Sequence, residues 1–464
     1  HVAPGSQSGD ANADSDGEAR LWSSILNQDW SVEIWGEIAR RYNSEIWVGG
    51  YDLLNEPVHY NGRQVRELQK RMSERIREFD KNHILFVNGN YWSRAFEDLV
   101  PKFDDNMVWA FHYYSWMVNA PVSKNTIQYL IDLRKNTNTP LWLGETGENS
   151  NEWFVQLRTL IEQNNIGWAW WNYKKIGTIN APVSSPTDPV YQEILNYWGG
   201  SGSKPNFDRS LLGLNNMVEN LKFENCDLRK DVVASLLSKD FQAKGIPFKS
   251  YSIPGKVEFV DYDLGSLGVG YYDRDFIDDR SDGGSYKAWN KGYRYRNDGV
   301  DIEMGGDGFY VSHTESGEFL KYTLNVIKSD RYDVLVTTSS SSIEAELSLQ
   351  VQNNRVLDRI PVPATGQYGI WKEHNIGQID LEKGTATLTF IINKGGANLK
   401  SFNLSSNSSR NGEVILSHKI YPNPVNDYIN FQFESLLSKQ VSVSIFNLIG
   451  QQVWNNQFSV KAGD

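Results

Sequence analysis

Apolar runs and helical stretches alternate along the first part of the chain. The segments between the runs, such as 65–80 and 126–137, have apolar residues at helical spacing. Such strands, apolar on both faces, are typical of a parallel sheet covered by helices. With at least five βα units, a (β/α)8 barrel is the predicted fold. A doubly wound open sheet is the alternative, but no glycine-rich phosphate loop follows a first strand. The predicted strands are 46–55, 83–89, 107–114, 140–145 and 166–172.

The pattern changes twice further along the chain. Residues 207–246 show helical spacing and are expected to complete a first domain, 1–246. Short alternating strands with Gly, Asn and Ser turns then predict a β-sandwich of the jelly-roll kind over 255–404. A polar segment, 405–412, is predicted to be a linker, and 413–464 a small β-domain.

Composition narrows the class of protein. A chain of 464 residues is too long for one core, in agreement with several domains. The net charge of −11 argues against a nucleic-acid binder, and no apolar run is long enough to span a membrane. A single cysteine, Cys226, excludes an internal disulfide. Thirteen of the 16 tryptophans precede residue 200; aromatic faces suit sugar rings, although most of these residues are expected to fill the core.

Two carboxylates follow strands of the predicted barrel. Glu56 ends the first run and Glu145 ends the fourth, and catalytic groups of such barrels lie at the C-terminal ends of strands. Paired carboxylates about 5 Å apart, one protonated and one ionised, are required for retaining glycoside hydrolysis. Burial among aromatic residues would raise the pKa of the acid. Glu148 is a rival nucleophile, but it lies beyond Gly147 in the loop.

Other strand ends carry polar or aromatic groups that suit a sugar site. Asn55 could bind a sugar hydroxyl, and Trp171 could stack on a ring. His112 and Tyr114 are two residues apart, so they face the same side of a strand and could orient Glu145.

The motifs LLNEP, FHYY, WLGETGE and WAWW, in this order, resemble glycoside hydrolase family 5, a family of retaining β-glycanases. The resemblance implies that Glu56 is the acid/base and Glu145 the nucleophile. It also assigns substrate-binding roles to His112, Tyr114 and Trp171, with Trp170 as the alternative to Trp171. No cofactor is required for catalysis.

The opening HVAPGSQSG resembles the end of the third strand in the same family, which makes His1 the family's third-strand histidine. The first strands and the family's substrate-site arginine would then be missing. We therefore expect an incomplete barrel and a poorly active chain, because an unclosed barrel exposes strand edges. The alternative function is a secreted, non-catalytic carbohydrate-binding or adhesion protein that keeps a degenerate barrel.

Segments between 256 and 404, among them YRYRNDGVDIE and TGQYGIW, resemble a family 6 carbohydrate-binding module. The resemblance implies sugar stacking by Tyr295 and by Tyr368 or Trp371, with Asn398 binding hydroxyls. Tyr368 stands where tryptophan is usual. The family's structural calcium site uses two glutamates; Glu258 occupies the first position and Val260 the second, so calcium binding is only partly supported.

Residues from 413 onward resemble the C-terminal sorting domain of the type IX secretion system. This implies a protein secreted or attached to the exterior of a bacterial outer membrane, with the secretion machinery as a partner. The expected substrate is a polysaccharide, most plausibly a β-glucan. The APGSQ opening resembles exo-acting β-1,3-glucanases, whereas the module is common on xylanases and β-glucanases, so linkage and endo or exo action stay open.

Overall fold

The computed structural model describes residues 1–10, 15–114, 122–274, 294–341 and 344–406, and four strands beyond residue 416. None of the helices in these ranges has the length and apolar character that a membrane span requires.

The first domain contains a sheet of five parallel strands in sequential order. Long helices precede and connect several of them and cover the sheet. This arrangement is half of a (β/α)8 barrel, which confirms the predicted incomplete barrel. The strands are β1 (Gly50–Asp52), β2 (Ile84–Asn88), β3 (Met107–Tyr113), β4 (Leu141–Thr146) and β5 (Gly167–Trp168). The helices are α1 (Ile25–Tyr42), α2 (Gly62–Phe79), α3 (Lys124–Thr137) and α4 (Asn151–Gln163).

The first strand is much shorter than the apolar run 46–55 predicted. It begins only at Gly50, where pairing with Ile84 of β2 starts, and residues before it have no strand partner among the described residues. Ile46 and Trp47 are consequently 84% and 87% exposed. The end of the run behaves as predicted, since Leu53 and Leu54 are buried.

The core of the half-barrel is apolar and aromatic. Trp109, Phe111 and Leu143 are fully buried on β3 and β4, and Trp153 of α4 packs against them. Several tryptophans therefore serve the core, as the composition suggested.

The end of the first domain is less helical than expected. Three helices, α5 (Pro189–Trp198), α6 (Phe207–Asn220) and α7 (Lys230–Leu237), accompany a three-stranded sheet. Its strands are β6 (Lys174–Ile176), β7 (Val183–Ser185) and β8 (Asp227–Leu228). The prediction of helical structure over 207–246 is thus wrong around β8, where pairing of Leu228 with Val183 overrides the helical spacing.

The second domain is a sandwich of two six-stranded, mostly antiparallel sheets, which confirms the predicted all-β fold. One sheet contains β10 (Gly255–Glu258), β12 (Ile302–Gly305), β13 (Gly308–Val311), β15 (Asp330–Ser339), β18 (Lys372–Leu381) and β20 (Asn398–Ser406). The other contains β9 (Ser252–Ile253), β11 (Tyr271–Tyr272), β14 (Phe319–Val326), β16 (Ala345–Val351), β17 (Asn354–Val362) and β19 (Gly384–Lys394). Phe259, Tyr322, Phe390 and Phe402 form an aromatic cluster at the centre of the core between them.

The C-terminal region contributes two antiparallel pairs, β21 (Ser417–Tyr421) with β22 (Asn430–Glu434) and β23 (Lys439–Phe446) with β24 (Gln452–Val460). Strand β20 extends two residues into the predicted linker, and the rest of the linker lies outside the described residues.

Candidate active site

Glu56 lies four residues beyond β1, at the mouth of the half-barrel. Its backbone adopts a φ of 46°, in the left-handed region that non-glycine residues seldom occupy. Pro57 directly follows it, and the preceding leucines anchor the segment in the core. Such strain is found where surrounding structure fixes a functional side chain, and here it aims a partly buried carboxylate at the neighbouring strand ends.

Glu145 lies on β4, directly opposite His112 of β3 in the strand register. The hydroxyl of Tyr114 donates a hydrogen bond to Glu145 Oε1 at 2.8 Å. Burial raises the pKa of the Tyr114 phenol, so it stays protonated and available as a donor. The nucleophile predicted from sequence thus has a fixed orientation.

His112 connects the two carboxylates. Its Nδ1 is 2.7 Å from Glu56 Oε1 and 3.9 Å from Glu145 Oε1, and its side chain is almost completely buried. One ligand-type atom from each of the three side chains lies within 4.8 Å of the other two. Among the described residues they are also the one set of three side chains that could hold a metal ion, but this spacing equally suits the carboxylate pair of a retaining glycosidase.

The electrostatics of Glu145 depend on several neighbours. Burial is the main cause that raises the pKa of its carboxyl, and the negative charges of Glu56 and Asp52 add to it. The positive potential of His112 and the hydrogen bond from Tyr114 act in the opposite direction. These two residues favour the ionised form that a nucleophile needs, although the pKa of Glu145 stays above its ordinary value because burial outweighs them.

Glu148 does not belong to the set formed by Glu56, His112 and Glu145. It forms an ion pair with Lys175 at 3.0 Å on the domain surface. Between it and the nucleophile, Gly147 has a φ of +142°, and a Cβ there would lie 1.9 Å from the carbonyl oxygen of Trp171. Only glycine allows the chain to turn so close to the backbone of Trp171. Beyond that turn, Glu148 pairs with Lys175, whereas Glu145 faces His112 and Tyr114.

The opening segment of the chain reaches the same site. The rings of His1 and Trp171 are stacked, with centroids 5.4 Å apart. Gln7, which the sequence did not single out, holds the segment: its Nε2 donates to the carbonyl oxygens of His1 and Asn55 at 2.7 and 2.8 Å. Trp170 instead makes edge contacts with Phe154 and Trp168, so Trp171 is the more accessible of the two candidates.

A cavity of about 520 Å³ lies between the opening segment of the chain and the ends of the strands. Asp52 also lines it and accepts a hydrogen bond from Asn88 Nδ2 at 2.6 Å. The signal for Asp52 in the sequence is a charged residue inside an apolar run, and it was not among the predicted site residues. The other polar and aromatic residues at the cavity include His1, Asn55, His112, Glu145 and Trp171.

In the sandwich, Tyr295 lies apart from the other predicted sugar-binding residues. Its hydroxyl donates to Asp261, and its ring contacts Phe309 and, edge-on, Phe248. Trp371 instead contacts Tyr310, the next residue of β13. Neighbouring strand residues point to opposite faces, so the structure does not bring Tyr295 and Trp371 together.

The remaining module residues lie near one end of β20. Tyr368 is 48% exposed and donates to the carbonyl oxygen of Gly396 at 3.0 Å, two residues before the buried Asn398. Lys400 lies over the Trp371 ring at 5.1 Å. Glu258, the predicted calcium ligand, forms an ion pair with Lys256 at 2.9 Å.

Three segments of the chain match models of known protein families. Residues 6–177 match the family model described as Cellulase (glycosyl hydrolase family 5). Residues 296–404 match the model of a carbohydrate binding module of family 35, and 419–464 that of a secretion system C-terminal sorting domain. The coarser prediction, a carbohydrate-binding module, is confirmed; the matched family is 35, where the sequence analysis named family 6.

Individual relatives match only part of the chain. A Beta-xylosidase of Phanerodontia chrysosporium is 32% identical over 233 residues, which cover 42% of this chain and 48% of the relative. Endoglucanase C of Acetivibrio thermocellus is 24% identical over 254 residues, which cover 42% of this chain and 72% of the relative. The solved structure of endoglucanase Cel5A of Thermotoga maritima has a TM-score of 0.31 at 21% identity. The match covers 33% of this chain and 62% of that protein. The chain thus spans about half the length of the first of these relatives.

Proposed function

We propose that the first domain is a retaining β-glycanase. The observation that carries the proposal is the pair of carboxylates, Glu56 after β1 and Glu145 on β4, each with an oxygen within 4.8 Å of the other and of a ring nitrogen of His112. The match to the cellulase family supports it. The cavity lined by Glu145, Asn55 and Trp171 provides the concave, partly aromatic surroundings that a sugar ring needs.

The proposed reaction is a double displacement. Protonated Glu56 donates its proton to the glycosidic oxygen while a Glu145 carboxylate oxygen attacks the anomeric carbon, and the bond to the leaving sugar breaks. Glu56, now ionised, then takes a proton from water, which attacks the same carbon and releases Glu145. Two inversions leave the product with the configuration of the substrate.

In this scheme, Tyr114 and His112 orient the two carboxylates. The Tyr114 hydrogen bond favours ionised Glu145, and His112 holds Glu56 through Nδ1. Trp171 and His1 form one wall of the sugar site, and Asn55 supplies a hydroxyl partner. We expect no cofactor to be needed for these steps.

For the substrate we propose a β-glucan. The decisive experiment incubates the protein with β-1,3-, β-1,4- and β-1,6-glucans, mannan and xylan, and follows the anomeric configuration of the first product by NMR. Glu145→Gln should abolish release of sugar, whereas Glu148→Gln should retain it, because Glu148 lies in a surface ion pair. Inverted product, or activity that survives Glu145→Gln, would contradict the mechanism.

The second candidate is a non-catalytic carbohydrate-binding protein, which the match of residues 296–404 to a carbohydrate binding module supports. It agrees with the expectation from sequence that the chain is poorly active. Binding of a glycan without hydrolysis, and without labelling of Glu145 by a mechanism-based glycosyl inactivator, would support it. Robust hydrolysis that Glu145→Gln abolishes would contradict both this candidate and the expectation of poor activity.

For the sandwich we propose sugar binding near Tyr368, Trp371 and Asn398, and for the C-terminal region export and retention at the outer surface of the cell. Affinity electrophoresis with Trp371→Ala tests the first, and cell fractionation tests the second. Calcium at Glu258 stays a prediction; an unchanged unfolding temperature when calcium is added to calcium-free protein would contradict it.

A further inference from the structure

The contact between the first domain and the sandwich is built around one side chain of the sandwich, Asn297. Its Nδ2 donates to the carbonyl oxygen of Asn149 at 2.9 Å and to Asn151 Oδ1 at 3.0 Å. Its backbone N–H donates to Asp231 Oδ2 at 2.8 Å. Asn297 thus bonds two separate elements of the first domain, the start of α4 and α7, while it is itself fully buried.

These hydrogen bonds reach the loop that follows Glu145, the proposed nucleophile. Asn149 lies only four residues after Glu145, in the loop between β4 and α4. The N–H of Asn151, the first residue of α4, donates to the carbonyl oxygen of Asn297 at 2.8 Å. Helices leave their first N–H groups without internal partners. Ser150 of the first domain accepts from the N–H of Trp153, and the sandwich supplies the partner for the N–H of Asn151.

Further apolar and polar contacts around Asn297 hold the first domain and the sandwich in one arrangement. Residues 238–251, between α7 and β9, form the connecting segment. Its Phe241, Val155 of α4 and Leu264 of the sandwich form one buried apolar cluster. Glu152 of α4 accepts from the backbone N–H of Leu267 at 3.1 Å, and Arg229 donates to the carbonyl oxygen of Tyr295. Contacts between domains of one chain usually allow relative motion, whereas a buried, well-bonded polar network favours a single arrangement.

Tyr295 takes part in the same contact. Its hydroxyl bonds Asp261, Lys249 pairs with Asp261 at 3.1 Å, and the neighbouring Arg296 stacks over Phe248 at 4.4 Å. The segment that the sequence assigned to sugar stacking is therefore engaged with the segment that connects the domains.

We infer that the sandwich is a structural part of the catalytic unit, in which Asn297 is a positioning residue that fixes the loop after the nucleophile. The inference rests on the proposed function for its catalytic consequence, but not for the coupling between the domains. In this role Asn297 acts through Asn149 and Asn151 on the path of the chain that leaves Glu145, and it does not touch the substrate.

Hydrogen–deuterium exchange of the full chain tests the coupling. Asn297→Ala removes both side-chain bonds, and amides in 146–153 should exchange roughly tenfold faster, because those bonds restrain local opening. Asn297→Asp, which keeps the shape but loses both donors, should do the same. The control is Asn403→Ala, on strand β20 of the sandwich, which pairs with β10 and β15 within that domain. Unchanged exchange in 146–153 for both Asn297 variants would overturn the inference.

Labelling kinetics with a mechanism-based glycosyl inactivator test the positioning role. The maximal rate of Glu145 labelling should fall about tenfold or more in Asn297→Ala, with the half-saturating concentration unchanged, because the nucleophile and not the sugar site is displaced. A lower yield of folded protein that labels at the wild-type rate would mean a merely structural role and would overturn the assignment. If the wild-type chain is not labelled by any inactivator, the proposed function fails, and the exchange experiment still decides the coupling.

Discussion

The hydrogen bond from Tyr114 to Glu145 gives the sharpest test of the site. Tyr114→Phe removes the hydroxyl that lies 2.8 Å from Glu145 Oε1 and leaves the ring in place. A hydrogen bond to a charged group contributes roughly 1.5–3 kcal/mol, and one pKa unit corresponds to about 1.4 kcal/mol. The variant should therefore raise the pKa of Glu145 by about one to two units, on top of the increase that burial already causes.

The sign of the effect on activity follows from the role of Glu145. The nucleophile must be ionised, so activity is lost as the pH falls through its pKa. In Tyr114→Phe the acidic limb of the profile should move to higher pH by the same one to two units, roughly. The assay is the pH dependence of kcat/KM on the preferred substrate, which reports groups of the free enzyme.

Tyr113→Phe is the matched control. Its hydroxyl bonds Thr126 Oγ1 at 2.9 Å, away from both carboxylates, so its acidic limb should coincide with that of the wild type. An acidic limb that stays in place in Tyr114→Phe would refute the reasoning, because Glu145 would then not be the group whose ionisation limits the rate.

Three further changes probe the site and its support. Asp52→Asn removes a negative charge that raises the pKa of Glu145, so the acidic limb should move to lower pH, opposite to the tyrosine variant; a shift in the same direction would contradict the assignment. Gly147→Ala should destabilise the protein by several kcal/mol or distort the site, since its Cβ would meet the Trp171 carbonyl at 1.9 Å, and thermal unfolding would show this. Burial opposes ionisation of Asp80, but hydrogen bonds from Tyr51 and from backbone N–H groups lower its pKa to about 2. Because its ordinary value is 3.8, ionised Asp80 should contribute about 2 kcal/mol above that pH, lost as the pH falls towards 2; urea unfolding of Asp80→Asn at about pH 6 should show this loss and at about pH 2 should not.

The strand-end residues could be predicted because two independent regularities agree. Apolar runs mark buried parallel strands, and the first polar residues after them must lie at the mouth of the sheet. Glu56 follows β1, His112 and Glu145 lie near the C-terminal ends of β3 and β4, and the structure brings the three together. The length of β1 could not be predicted, because a strand extends only as far as its neighbour offers partners, and that neighbour begins at Ile84.

Other parts of the site depend on contacts that no local pattern records. Gln7 acts through a bond to Asn55, 48 residues away, and an isolated glutamine carries no signal of that kind. In the sandwich, the separation of Tyr295 from Trp371 depends on which face of β13 each ring contacts. The motif gave the residue types but not their placement.

The capping of α4 by Asn297 has a consequence for attempts to exchange parts of this protein. A replacement sugar-binding domain joined at the connecting segment would leave the N–H of Asn151 and the carboxylate of Asp231 without the partners they have here. It would also expose Val155 and Phe241, which Leu264 now covers. A workable chimaera should therefore keep Leu264 and the segment 295–298 of the original sandwich. Its junction should lie after residue 298, among the strands of the sandwich, and not in the segment that precedes the sandwich.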